Sequence, residues 1–114
     1  MSMQYINLDN LETKTVSHNK NIEKKVILDR RAVPNLTNFS QAIFKPKQVA
    51  YAHSHSDMWE VFYVESGTGL MIVNGQEYQL NKGVCVMVEP NDRHEIINNS
   101  DDDLVLNYFG VVPD

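Results

Sequence analysis

Cysteine is almost absent: Cys85 is the only one in 114 residues. One thiol cannot close an internal disulfide, which agrees with a reducing compartment. It falls in Val84-Cys85-Val86-Met87-Val88, a strand-like run with no neighbouring cation, and reads as a buried, inert thiol. Basic residues are scarce as well. The formal net charge is −5, and between Tyr51 and Phe109 only Lys82 and Arg93 are basic. That leaves no stripe able to follow a phosphate backbone, so a nucleic-acid partner is not expected. Long apolar runs are missing, and nothing approaches the ~20 residues of a membrane helix. Met1-Ser2-Met3-Gln4 lacks the charged-then-apolar start of a secretory signal, so the expected location is cytoplasmic. Helical periodicity is missing too, apart from room for one turn near the N-terminus.

What remains is an ordinary globular composition, 42% apolar and 22% charged, with room for one domain. Residues 1–20 are polar and Asn-rich and read as an N-terminal arm, leaving 21–114 as the domain. Strand patterns follow at Val26–Leu28, Phe39–Phe44, Ala50–His55 and Trp59–Glu65. After Gly67-Thr68-Gly69 come Leu70–Val73, the hairpin signal Asn74-Gly75, and Gln76–Leu80. Val84–Val88, His94–Ile97 and Leu104–Val112 complete the series. Short strands about eight to twelve residues apart, with turns between, predict an all-β sandwich or barrel.

Within this pattern, His53, His55 and Glu60 stand close together, and His94 follows later. Two histidines two residues apart on a strand project from one face. Imidazole nitrogens with a carboxylate suit zinc, iron, manganese, nickel or copper. His18, far from the others in sequence, reads as a solvated surface residue. Alternation gives a provisional lining: Tyr51 with His53 and His55, Phe62 and Val64 with Glu60, Ile96 and Asn98 with His94. Trp59, Val61 and Tyr63 then face the other way, toward a second sheet or a subunit.

The spacing His-x-His, four residues, Glu, six residues, Gly is met by His53, His55, Glu60 and Gly67. It resembles the first motif of the cupin superfamily. Gly83, His94 and Asn98 fall on fixed positions of the second. Glu89 stands where that motif has proline, and Asn91 where it has glycine; asparagine tolerates positive φ, so the turn can survive. Lys47 stands where the first motif has glycine, which touches the loop before the ligands and not the ligands themselves. A His-x-His strand with a distant third histidine also occurs in zinc hydratases of other folds, but Glu60 and the glycine framework argue against those. The resemblance covers about residues 40 to 110. It implies a single β-barrel of jelly-roll type, one divalent transition metal held by His53, His55, Glu60 and His94, a structural Asn98, and a homodimer.

Three neutral imidazoles and one carboxylate leave a divalent ion with a net charge of about +1 and open positions for a ligand with adjacent oxygens. A 2-oxo acid, hydroxy acid, enediol or sugar fits that description. Metal-assisted proton transfer, as in an isomerase, epimerase or lyase, is the first expectation. A dioxygenase using iron, nickel or copper is the second, and a ligand-binding module without turnover the third. No DNA-binding region accompanies the barrel here, which counts against a transcriptional sensor in this chain. Tyr51 is the candidate proton-transfer group, with Glu60 behind it, and Tyr51, Phe62 and Ile96 are the candidate substrate contacts. A substrate carboxylate would fall to the metal, or to Arg30 or Arg31.

Overall fold

A computed structural model describes residues 3–114. Met1 and Ser2, the start of the expected arm, lie outside the described residues. The first element among the described residues is a 3-10 turn, Leu8–Asn10, capped by Asn7, whose Oδ1 accepts from Asp9 N at 2.8 Å. Ten strands follow among the described residues: β1 (Lys14–Val16), β2 (Asn19–Leu28), β3 (Leu36–Phe44), β4 (Val49–His53), β5 (Trp59–Ser66), β6 (Gly69–Val73), β7 (Gln76–Leu80), β8 (Cys85–Val88), β9 (His94–Ile97) and β10 (Leu104–Val111). The expected arm therefore carries a short strand, and β2 begins well before Val26.

The strands form two antiparallel sheets. One has the order β1-β2-β3-β10-β5-β8, the other β4-β9-β6-β7. This corrects the expectation of a closed β-barrel. Closure needs hydrogen-bonded pairing all the way round, and here the edges β1 and β8 of the large sheet pair with neither edge of the small one. The chain changes sheets between β3 and β4, β4 and β5, β5 and β6, β7 and β8, β8 and β9, and β9 and β10, and each crossing interrupts the ladder.

Alternation along the strands explains the packing. On β5, Glu60, Phe62 and Val64 are buried, and on β10, Leu104 and Leu106 are. With Ile22, Ala42, Phe44, Ala50, Met71, Leu80, Val88 and Ile96 they fill the space between the sheets. Full burial of each larger side chain contributes roughly 1.5–3 kcal/mol. Cys85 corrects another expectation, because it is exposed. It lies on the edge strand β8, where its inward neighbours are Val86 and Val88, so the thiol faces outward beside Met87. Opposite it across the ladder is Tyr63, which is also exposed.

Three tight connections shape the turns, the first within the small sheet and the other two at crossings between sheets. Asn74 and Gly75 both take positive φ, 49° and 83°, as a two-residue hairpin between β6 and β7 requires. Gly67, at φ 84°, is crowded: a Cβ there would collide with the Asp103 carbonyl oxygen and come within 2.9 Å of Leu104 Cα. Lys47 takes φ 73° without being glycine. Its amide donates to Asn98 O at 2.8 Å, and Asn98 N donates to Gln48 O at 3.0 Å, so the ladder around it keeps the loop in the shape a glycine would give.

Candidate metal centre

His53, His55, Glu60 and His94 converge. One donor atom from each lies within 4.8 Å of the others. His53 ends β4 and His94 opens β9, and the two are register partners across that ladder. His55 follows in the β4–β5 loop, and Glu60 is the second residue of β5 in the facing sheet. The centre is therefore clamped between the two sheets.

Simple alternation would put His53 on the same face as Tyr51. The structure does not. The β4–β9 register shifts between Ala50 and His53, and an irregularity of this kind re-aims the side chains beyond it. Ala50 and His53 both line the central cavity, while Tyr51 is 60% exposed and lies outside it. Tyr51 still touches the centre through its backbone: His53 Nδ1 donates to the Tyr51 carbonyl oxygen at 2.8 Å. His94 Nδ1 donates likewise to Asp92 O at 3.0 Å. A carbonyl can only accept, so each Nδ1 carries the proton and each Nε2 lone pair is free for coordination. Backbone partners of this kind fix the tautomer and orientation of metal-binding histidines.

The loop before His94 is tied down on both sides. Asn74 Nδ2 donates to Asp92 Oδ1 at 2.9 Å, and Asn74 Oδ1 accepts from Arg93 N at 2.9 Å. Asp92 Oδ2 accepts from Glu89 N at 2.8 Å, which with the Asn74 bond holds its carboxyl below the usual carboxylate range. Asn91, at φ 72°, donates its amide to His55 O at 2.6 Å, so the two motif loops meet. Asn98 is fully buried and structural in its bonding. Its Nδ2 donates to Phe44 O and Asp102 O, both at 2.8 Å, and its Oδ1 accepts from Ser100.

The donor set fits a divalent cation. Glu60 Oε1 lies 3.2 Å from His94 Nε2 and 3.4 Å from His55 Nε2. These contacts are close but poorly aligned, and both Glu60 Oε1 and His94 Nε2 are buried without a hydrogen-bond partner. Two unpartnered buried donor atoms aimed at one point are costly unless something positive sits between them. The electrostatics agree. Burial pushes the His53 imidazole down to about 4, against its bond to Tyr51, so it is neutral at pH 7. At His94, burial acts in the same direction, but the Glu60 carboxylate and the Asp92 carbonyl outweigh it and raise its pKa. The point beside Glu60 thus favours positive charge.

The cavity beside the centre holds about 170 Å³. Phe62 and Ile96, both expected near substrate, line it. Arg30 and Arg31 do not; both are exposed, between β2 and β3. Three further residues, not among the sequence candidates, also line it. His18, expected to be solvated, stacks its ring on His53 with centroids 3.5 Å apart and planes 14° apart. Burial, then the neighbouring His55, lower its pKa. Only the fold of the β1–β2 turn brings it there, so no local signal marked it. Tyr108 stacks on Phe62 at 5.7 Å and lines the cavity. Burial pushes its phenol up to about 12, partly opposed by the Ser40 hydroxyl and reinforced by the Glu60 charge. Its parity with Leu104 and Leu106 on one strand was the available signal. Lys24 also lines the cavity.

Comparison with known proteins is consistent with this architecture. The chain is 34% identical over 67 residues to the HTH-type transcriptional activator RhaS of Yersinia pestis (strain Pestoides F), covering 59% of this chain and 24% of RhaS. It thus spans about a quarter of that relative's length. Among solved structures, a predicted oxalate decarboxylase from Thermotoga maritima superposes with a TM-score of 0.89 at 17% identity, covering 96% of this chain and 100% of the other. KdgF from Halomonas sp. gives 0.79 at 20% identity over 100% of this chain and 97% of the other. A cupin-superfamily sugar phosphate isomerase from Silicibacter pomeroyi gives 0.81 at 12% identity over 96% and 76%. At such identities these structures share the fold alone. The sequence pattern of the cupin domain matches residues 40–111, and with both motifs and the three-histidine, one-glutamate centre in place, this chain belongs to the cupin family.

Proposed function

We propose that this protein is a metal-dependent enzyme that moves a proton on a small oxygenated metabolite, as an isomerase, epimerase or lyase does. One observation carries the reading: His53, His55 and Glu60 of the His53/His55/Glu60/His94 cluster line a cavity that also presents a half-buried, protonated phenol, Tyr108. A divalent ion held there would supply Lewis acidity, making a C–H beside a carbonyl acidic. Tyr108 keeps its proton at neutral pH and holds it at Oη for delivery to an oxygen of the substrate, while the Glu60 carboxylate, which lines the same cavity, takes the proton leaving carbon. Phe62 and Ile96 pack against the substrate's carbon skeleton, and His18 covers His53 against water. At about 170 Å³, the space lies below the ~300–1,000 Å³ of pockets for drug-sized ligands, which supports a small substrate.

The test is solvent-deuterium exchange. The metal-loaded protein, incubated with 2-oxo and 2-hydroxy acids in D2O, is expected to label one of them at carbon, and Tyr108→Phe to slow labelling about 10²-fold or more. Oxygen uptake without exchange would replace this reading with a dioxygenase. A second reading is favoured by the RhaS likeness: a ligand-binding module without turnover. Saturable binding of an acid with no chemical change would establish it.

The protein is further proposed to work as a homodimer. Tyr63, Met87 and Val111 leave an exposed apolar strip on the outer face of the large sheet, next to Val61 and Trp59. A monomeric mass in solution would refute this.

A further inference from the structure

Lys24 is a cation on an inward face. In the large sheet it pairs directly with Ala42, Ala42 with Leu106, and Leu106 with Val64. Residues directly opposite on neighbouring strands share a face, and Ala42, Leu106 and Val64 are all buried between the sheets. The Lys24 side chain therefore starts inward, and it lines the same cavity as the metal centre. No salt bridge engages it among the described residues. On its other side, its direct register partner is Lys14. Like charges directly opposite destabilise a sheet. Burial, with Lys14 adding repulsion, holds the Lys24 ammonium below the usual lysine range. Asp9 and Glu23 line a second cavity that Lys24 also reaches, but neither comes within 4 Å of its ammonium, so a lysine placed inward beside another lysine is short of an anion.

We propose that Lys24 binds the carboxylate of the substrate, and that the substrate is an oxygenated carboxylic acid whose carboxylate stands several bonds from the oxygens facing the metal centre. The inference rests on the metal-site reading above and narrows its substrate class from sugars, enediols and acids to acids. The separation follows from the strand geometry. Glu60 and Val64 are four residues apart on β5, about 13 Å at roughly 3.3 Å per residue, and Lys24 lies in the Val64 row. Its four-carbon stem spans part of that distance, and the ligand spans the rest. Between the two rows lie Ser40, Tyr108 and Phe62, which are register partners across β3, β10 and β5. The reacting part of the ligand is thus held beside the Tyr108 phenol.

Two matched probes isolate the interaction. 2-Oxoadipate and 2-oxohexanoate present the same 2-oxo acid to the metal centre and differ only in the remote carboxylate. Calorimetric titration of the metal-loaded protein is expected to show 2-oxoadipate binding at least about tenfold more tightly, the range of a charge-assisted hydrogen bond. Lys24→Met is expected to erase that preference while leaving metal content and 2-oxohexanoate affinity within about twofold, and Lys24→Arg to restore part of it. Equal binding of the two probes by the wild type, binding of neither at millimolar concentration, or a preference that survives Lys24→Met would overturn the proposal. His55→Ala separates the two layers. If it retains full metal content, the metal-site reading fails. If it loses metal while the Lys24→Met result is negative, only the carboxylate anchor fails.

Discussion

Replacing Tyr108 with phenylalanine makes the alkaline stability of this protein a direct readout of the cavity. The phenol titrates at about 12 in the folded chain against a reference of 10.0, chiefly because it is buried. A phenol with a raised folded value stabilises the fold fully below pH 10, and that stabilisation drains away as pH rises through 12. In that window the unfolded chain has released a proton that the folded chain still holds. That difference corresponds to about 3 kcal/mol, of which about 2 kcal/mol is lost by pH 12. Phenylalanine preserves the ring stacked on Phe62 and leaves no orphan behind, since Ser40 Oγ donates to Asn38 Oδ1 at 2.6 Å. Its cost at pH 8 is therefore about one hydrogen bond, roughly 0.5–1.5 kcal/mol. The assay is urea unfolding of both proteins at pH 8, 10, 11 and 12. Wild type is expected to lose about 2 kcal/mol more than Tyr108→Phe between pH 10 and 12, so that the variant becomes the more stable of the two at pH 12. Parallel curves would show that the phenol is not buried in the cavity, and its role as a proton donor would go with it.

Lys47→Gly is expected to stabilise the protein by up to about 1 kcal/mol, because the side chain is held at φ 73°, and a thermal melt with no rise would contradict that backbone. In chelator, stability is expected to fall as pH drops from 6.5 toward 4, the range over which the unfolded chain protonates His53 while burial keeps the folded imidazole neutral; a flat urea-unfolding profile across that range would refute its burial. Asn74→Ala removes the two side-chain bonds from Asn74 to the loop before His94 and is expected to weaken metal affinity about tenfold, read by competition with a metal indicator dye; unchanged affinity would show that the loop needs no such support.

The elements of the fold were legible where the pattern was local. The Asn74-Gly75 hairpin and the strands from β5 to β10 stand within a residue or two of where alternation and turn residues put them. The four ligand positions were legible because motif spacing encodes them independently of geometry. Long-range arrangement was not. Closure into a barrel depends on whether the edges β1 and β8 find partners, and no strand pattern reports that. Strict alternation puts Tyr51 on the same face of β4 as His53, but a register shift between Ala50 and His53 breaks it. Cys85 looked buried because its neighbours are apolar, but an edge strand covers only one of its faces. His18 and Lys24 lie in the segment with the weakest pattern, and only the curl of β1 and β2 toward β4 brings them to the site; the bond from Asn19 Nδ2 to Val49 O marks that approach.

Metal content tests the central claim most directly. Elemental analysis of the purified protein, after reconstitution if needed, is expected to give close to one transition-metal ion per chain, with little retained by His55→Ala or Glu60→Ala at unchanged fold. A wild-type protein that holds no metal, or variants that hold as much as wild type, would contradict the assignment of His53, His55, Glu60 and His94 as a metal centre.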